Sequence, residues 1–175
     1  MNLEIIGPGN IPNELNVIIE IPMNSATPIK YEYSAEKGCL VVDRFLATPM
    51  LYPFNYGFVP GTLSNDGDPL DVVIVSDVPI MPGAMMSVKP VGVLLTEDEE
   101  GKDEKIIAVP GVKANSVWSD VTTYSELPEL TLARIKHFYE NYKDLEKGKW
   151  IKVSGYCGVE EAKKIIQLSI DRYKK

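Results

Sequence analysis

Val17-Ile18-Ile19-Glu20-Ile21 is an apolar run broken once by a carboxylate and stopped by Pro22. Ile29-Lys30-Tyr31-Glu32-Tyr33 alternates apolar and polar positions, and Leu40-Val41-Val42-Asp43-Arg44-Phe45-Leu46 follows Gly38 as another β-branched stretch. Such runs predict strands, because period-two patterning suits a pleated ribbon with one buried face. The same reading predicts strands over 71–75, 87–96, 105–109 and 150–156. Pro60-Gly61, Pro82-Gly83 and Pro110-Gly111 mark turns between them. The period then changes. Pro128, a favoured first-turn residue, opens a helix to about Lys143 with Leu132, Ile135, Phe138, Tyr139 and Tyr142 in one stripe. A second helix is predicted over Val159–Tyr173, with Ala162, Ile165, Ile166, Ser169 and Tyr173 inward. Strands at this spacing suggest a barrel or sandwich rather than βαβ units. The expected fold is α+β, mainly β: a mostly antiparallel barrel flanked by two main helices. No repeat, linker or low-complexity tract divides the chain, so residues 1–175 are expected to form a single domain.

Composition narrows the function. Hydrophobic residues make up 45% of the 175, as in an ordinary globular protein, and 25 acidic against 18 basic residues give a net charge of −7. That balance argues against a broad nucleic-acid or anionic-membrane footprint, although a small basic pocket for a small anion remains compatible with it. The first residues lack the basic flank and apolar core of a signal peptide, and no apolar run approaches membrane-spanning length. Cys39 and Cys157 lie in apolar surroundings and read as two buried thiols, with a disulfide as the alternative. A cytoplasmic location is expected.

The chemistry concentrates in Asp66-Gly67-Asp68-Pro69-Leu70-Asp71-Val72. Three carboxylates within six residues repel one another and raise each other's pKa unless a cation compensates them. Hard cations such as Mg²⁺ prefer such oxygen ligands. Residues two apart on an extended chain share a side, so Asp66 and Asp68 can face one pocket, with Asp71 entering it from the strand base. A solvated turn explains the same residues, since Asp and Gly are turn formers. An EF-hand does not, because Leu70 and Asp71 occupy positions that need a ligand and the turn glycine.

Other charged positions favour a site. The stretch Glu97–Lys105 reads mainly as a charged hairpin tip, but Asp103 and Lys105 lie two apart on its returning strand, and Asp98 can approach from the outgoing one. Lys30 and Glu32 repeat that spacing, with a solvent-facing ion pair as the plainer explanation. Glu20 ends an apolar strand, so it is either an exposed edge residue or functional. Arg44 interrupts an aliphatic run where its planar fork suits phosphate oxygens. Tyr52, Tyr56 and Tyr142 read as core aromatics that can also donate to phosphate. Lys143 fits a helix C-terminus equally well. Together, carboxylates for metals and cations and phenols for a polyanion match the needs of phosphoryl transfer with several metals. An oligonucleotide-binding barrel and a structural cation-binding protein are the competing readings.

On these residues the chain resembles the family I soluble inorganic pyrophosphatases of bacterial type. The acidic run fits that family's signature. The likeness continues through Glu20-Ile21-Pro22, Pro28-Ile29-Lys30-Tyr31-Glu32, Val42-Asp43-Arg44-Phe45, Tyr52-Pro53-Phe54-Asn55-Tyr56-Gly57 and Asp103-Glu104-Lys105, and through His137-Phe138-Tyr139-Glu140-Asn141-Tyr142-Lys143. The resemblance implies an OB-like five-stranded barrel and Mg²⁺-dependent hydrolysis of inorganic diphosphate to two orthophosphates. It implies about three to four Mg²⁺ ions per site. Asp66, Asp71 and Asp103 would hold the tight one, Asp71 also the second, and Asp98 with Asp103 a third. Glu32, supported by Glu20, would hold a fourth. Asp68 would accept the proton of the attacking water. Lys30, Arg44, Tyr56, Lys105, Tyr142 and Lys143 would grip the phosphoryl groups, and Tyr52 would orient the site. It further implies a homo-oligomer, a hexamer, with His137 on a helix at subunit contacts, and neither nucleic acid nor membrane as partner.

Overall fold

The structure is a computed structural model that describes residues 3–175. Its main strands are β1 (Glu14–Ile21), β2 (Ile29–Ser34), β3 (Cys39–Phe45), β4 (Asn55–Val59), β5 (Leu70–Ile74), β6 (Met85–Asp98), β7 (Lys105–Pro110) and β8 (Ile151–Cys157). Two helices, α1 (Glu129–Asn141) and α2 (Val159–Tyr173), follow β7, one on each side of β8. Strand β1 pairs with β4, β4 with β5, β5 with β7, β7 with β6, and β6 back with β1. The five strands therefore close into a ring, an OB-like barrel. All of these pairs are antiparallel except β5–β7, which is parallel. Strand β8 adds to the outside of β6, and β2–β3 form a separate two-stranded ribbon. Among the described residues, no helix is long and apolar enough to cross a membrane.

Val72-Val73-Ile74 is fully buried because both faces of β5 are covered. Val72 and Ile74 join Ile106, Ala108 and Val93 in a core that packs on Ala162, Ile166 and Ile170 of α2. Val73 joins Ile107, Val109 and Leu94 in a second core against Ile135, Phe138 and Tyr139 of α1. This alternation matters for the site. Asp71 shares a face with Val73, and Lys105 shares one with Ile107, so both side chains emerge on the α1 side.

Four sequence expectations need correction. Strand β4 was not predicted, because Pro53, Asn55 and Gly57 look like turn residues. Gly57 is required there by close approach: a Cβ would lie 2.0 Å from the Ile18 carbonyl oxygen of β1. Gly57→Ala is expected to destabilise the fold by about 3 kcal/mol or more, read by urea denaturation. A loss below about 1 kcal/mol would mean that β1 and β4 can separate freely. Tyr173 does not face inward but is 55% exposed, because Ile170 takes the last buried position of α2. Helix α1 ends at Asn141, leaving Tyr142 as its C-cap and Lys143 in the following turn. The cysteines are free; Cys39 is exposed on the uncovered β2–β3 ribbon and Cys157 is half-buried, so neither is a core thiol.

Candidate active site

Topology gathers the charged residues at one end of the barrel. Parallel pairing puts the starts of β5 and β7 side by side, and the antiparallel β6 ends beside the start of β7. Asp71 is the second residue of β5, Lys105 begins β7, and Asp98 ends β6. The acidic loop before β5 is anchored at its base by Thr62, a buried hydroxyl that donates to Val59 O (2.5 Å) and accepts Leu70 N–H (2.9 Å). At its tip Gly67 has φ +94°, a conformation that favours glycine. Asp66 Oδ1 accepts the Asp68 N–H at 3.0 Å, and Ser64 N–H bonds to Asp68 O at 2.7 Å. Asp103 is fixed by two backbone contacts to Thr96, its N–H donating to Thr96 O at 3.0 Å and its carbonyl accepting the Thr96 hydroxyl.

These elements, the β2–β3 ribbon and the end of α1 enclose a polar cavity of about 310 Å³. Asp66, Asp68, Asp71, Asp98, Asp103 and Glu32 line it together with Lys30, Arg44, Lys105, Lys143, Tyr52, Tyr56 and Tyr142. Glu20 lines an adjoining recess of about 100 Å³ that shares Lys30, Glu32, Asp68 and Asp71 with the main cavity. Every site residue expected from sequence therefore lines the main cavity, except Glu20, which lines the recess beside it.

Ion pairs bind the walls to each other. Lys105 is buried; its ammonium contacts Asp71 at 2.5 Å, pairs with Asp103, and lies 5.9 Å from the Tyr56 ring centroid. Lys143, also buried, reaches Asp98 at 2.7 Å and Glu99 at 3.6 Å. Arg44 bridges Asp43 (2.7 Å) and Glu146 (3.1 Å). Lys30 pairs with Glu32 two residues along the same strand, β2. Beneath the ions lies an aromatic floor. Tyr52 meets Phe138 at 4.5 Å, Phe138 stacks on Tyr142 at 5.0 Å, and Phe54 stacks on Tyr139 at 5.5 Å.

Burial and like charges leave the acidic side short of compensation. Loss of water raises Asp66 to about 6, with Asp103 and Asp71 adding to the rise and the Asp68 N–H opposing it. Asp68 is exposed as a residue, yet desolvation of its carboxyl, then the charges of Asp71 and Glu32, raise it as well. Glu20 is buried and accepts the Tyr33 N–H at 2.7 Å; burial first, then Asp71, lifts it to about 8. Burial opposes the charge on Lys105, but Asp71 and Asp103 outweigh it and hold the ammonium well above its ordinary range.

A sequence model of the inorganic pyrophosphatase family matches residues 17–174. The chain is 56% identical over 176 aligned positions to the inorganic pyrophosphatase of Bradyrhizobium diazoefficiens, covering 100% of this chain and 98% of that one. The chain belongs to the inorganic pyrophosphatase family. It is also 53% identical to the inorganic pyrophosphatase of Agrobacterium fabrum, over 99% of this chain and 98% of the relative. Among solved structures, the inorganic pyrophosphatase of Coxiella burnetii superimposes with a TM-score of 0.92 at 48% identity, over 95% of this chain and 99% of that one.

The family implies a divalent cation, and the cavity suits one. Its acidic donors are all carboxylate oxygens, the ligands hard cations choose. The raised pKa of Asp66, driven in part by Asp71 and Asp103, shows an acidic wall that added positive charge would relieve. Among the described residues, no three carboxylates are yet drawn into a ready coordination sphere, and the Lys105 ammonium bridges Asp71 and Asp103 instead.

Sequence reasoning on this pyrophosphatase missed several cavity residues. Asp43, Glu99, Glu100, Lys149 and Tyr139 also line the space. Glu99 and Glu100 carried a signal, but it was absorbed by the hairpin-tip reading. Tyr139 looked purely apolar because it lies in the stripe of α1 that covers the core.

The buried carboxyl of Glu20 makes stability depend on pH. Without divalent cations the folded chain keeps this proton to about pH 8, whereas the unfolded chain loses it near 4.5. The folded state then binds more protons between these values, so stability falls as pH rises from about 4.5 to 8 and levels off above. Glu20→Gln, which still accepts the Tyr33 N–H, is expected to gain on wild type across that window by a few kcal/mol. Chemical denaturation in chelator at pH 5 and 8 checks this; equal differences at both would show that Glu20 ionises normally.

Proposed function

We propose that this chain, acting through one domain of residues 1–175, hydrolyses inorganic diphosphate to two orthophosphates with Mg²⁺ as its cation. The single observation that carries the reading is the opposition, inside one cavity, of an oxygen-only acidic wall and a set of cations and phenols. A diphosphate needs both, since its own charge must be neutralised while water is brought to phosphorus. Asp66, Asp71 and Asp103 hold the tight cation, and Asp71 also serves a second. Asp98 with Asp103, and Glu32 with Glu20, hold the others. A bound divalent cation supplies positive charge to the phosphoryl oxygens and makes nearby water more acidic.

The chain's own groups do the rest. Lys30, Arg44, Lys105, Lys143, Tyr56 and Tyr142 bind the phosphoryl oxygens, and Tyr52 orients them from the aromatic floor. Asp68, its pKa raised by desolvation and by the charges of Asp71 and Glu32, and free of ion pairs among the described residues, takes the proton of the attacking water. The water oxygen bonds to one phosphorus as the bridging P–O bond breaks, and the second orthophosphate leaves with the bridging oxygen. Arg44, Lys30 and Lys143 offset the charge that this leaving group gains.

The test is orthophosphate release from diphosphate. Mg²⁺ should support turnover and chelation should abolish it; release that is indifferent to chelation, or absent with Mg²⁺, would remove the proposal. The same reading places the chain in the cytoplasm as a homohexamer, with neither nucleic acid nor membrane as partner. An apolar groove beside α1, lined by Met50, Leu51, Leu130 and His137, supports subunit contact there. A monomer in sedimentation velocity would exclude it.

A further inference from the structure

Arg44 is held by a carboxylate that lies outside the charged cavity. Its Nε is 3.2 Å from Oε1 and 3.1 Å from Oε2 of Glu146, a residue 102 positions further along the chain. Its Nη1 donates to Asp43 Oδ2 at 2.7 Å. Among the described residues, the remaining nitrogen, Nη2, makes no hydrogen bond. A guanidinium is a rigid planar fork, so fixing Nε and Nη1 also fixes the direction in which Nη2 points. Arg44 and Asp43 line the cavity, whereas Glu146 does not. The Glu146 side chain is only 12% exposed, and Arg44 is its side-chain partner.

The ribbon that carries Arg44 needs such a hold. Strands β2 and β3 pair only with each other, so no backbone ladder sets the distance of Arg44 from the barrel. A register shift opposite Lys30 and Tyr31 leaves Asp43 as the extra residue of β3. This bulge lets Asp43 and Arg44, neighbours in sequence, reach the same cavity. Glu146 meets Arg44 from a fixed base. Its N–H donates to Lys143 O at 2.8 Å, and its carbonyl accepts the Lys149 N–H at 3.2 Å. Lys143 is itself anchored on Asp98 at 2.7 Å. One turn therefore presents Lys143 directly and locates Arg44 through Glu146. A surface ion pair would explain a lone contact of this kind, but not a half-enclosed carboxylate on an anchored turn that grips one edge of a cavity-lining guanidinium.

We propose that Glu146 is a positioning residue: by holding Nε it aims the free Nη2 of Arg44 at the phosphoryl group that leaves. The proposal rests on the diphosphate reading of the cavity. Glu146 touches no substrate; it sets where the charge of Arg44 sits relative to Lys143.

The experiment measures kcat and KM for diphosphate at saturating Mg²⁺ in Glu146→Ala, Glu146→Asp and Glu146→Gln, each alone and combined with Arg44→Ala. Glu146→Ala should lower kcat by roughly tenfold with a smaller change in KM, because a misaimed cation is felt most where the leaving group gains charge. Glu146→Gln should stay within about threefold of wild type, since its side-chain oxygen still accepts the Nε–H. Glu146→Asp keeps the charge but withdraws the acceptor by one methylene, so it should lose most of what alanine loses. In the Arg44→Ala background none of the three should change kcat further. Wild-type kcat in the alanine or aspartate variant would overturn the proposal, and the aspartate variant decides alone if alanine prevents folding. A glutamine variant as slow as alanine would show that charge rather than the held Nε–H matters, and would overturn it too. Losses that persist beside Arg44→Ala would assign Glu146 a packing role, with the same consequence. A wild-type chain that fails to hydrolyse diphosphate would remove the functional reading itself, a result distinct from an active wild type with silent variants.

Discussion

Asp68→Asn is expected to cut diphosphate turnover by about 10²–10⁴-fold while leaving the fold intact. The carboxyl is the one acidic group of the 66–71 loop with neither a hydrogen bond nor an ion pair among the described residues, so an amide of the same shape breaks no contact. The loop is held by its backbone and by Thr62, through Ser64 N–H to Asp68 O and Leu70 N–H to the Thr62 hydroxyl. Removing a charge beside Asp71 and Glu32 relieves repulsion, so the thermal midpoint should stay level or rise. Activity is another matter, because an amide cannot accept the proton of the attacking water. The raised pKa of Asp68 favours that role, since a base works best when its pKa approaches the working pH. Normal turnover in the asparagine variant would transfer proton acceptance to another group.

Lys105→Met is the second large effect, and it falls on stability before it falls on activity. Methionine matches the buried stem of lysine but leaves Asp71 and Asp103 facing each other without the ammonium that bridges them. Breaking a buried ionic cluster by removing one partner costs about 3–5 kcal/mol, because the remaining charges stay desolvated. The contact with the Tyr56 ring is lost as well. A divalent cation offers those carboxylates an alternative partner, so most of the loss should appear in chelator and much should be recovered in Mg²⁺. Urea denaturation under the two conditions decides it. Equal losses in both would show that Asp71 and Asp103 do not share a cation, and the assignment of the tight site would fall with that result. Turnover should remain low even in Mg²⁺, since Lys105 also binds phosphoryl oxygen in the proposed function.

The barrel was legible where patterning was regular. The β-branched runs of β1, β5 and β7 and the 3.6-residue stripe of α2 need no tertiary information, because local propensity and burial agree there. Strand β4 was not legible. Its Asn55 is fully buried, donating to Ser76 and Val78 O and accepting from Met23 and Ile80, and its Gly57 makes room for β1. Residues that read as a turn in sequence are here recruited for contacts with other segments. Tyr139 is the same lesson inside the site: its place in an apolar stripe says nothing about a hydroxyl at the stripe's polar end.

Sequence alone determined which chemistry this chain can hold. Closely spaced carboxylates, with Arg44, Lys30, Lys105 and Lys143, supply the ligand types for a metal and a polyanion, although a solvated turn would account for the acidic run as well. Tertiary structure alone decided that they meet. Parallel pairing of β5 and β7 brings Asp71 beside Lys105 across 34 residues of chain, and the end of α1 carries Lys143 to Asp98 across 45. Only closure of the ring puts those strand ends on one rim. Only burial in the folded chain, by excluding water, raises the pKa values of Asp66 and Glu20, with neighbouring carboxylates adding to the rise, and only the fold sets Asp71 and Asp103 beside Lys105 so that they outweigh its burial.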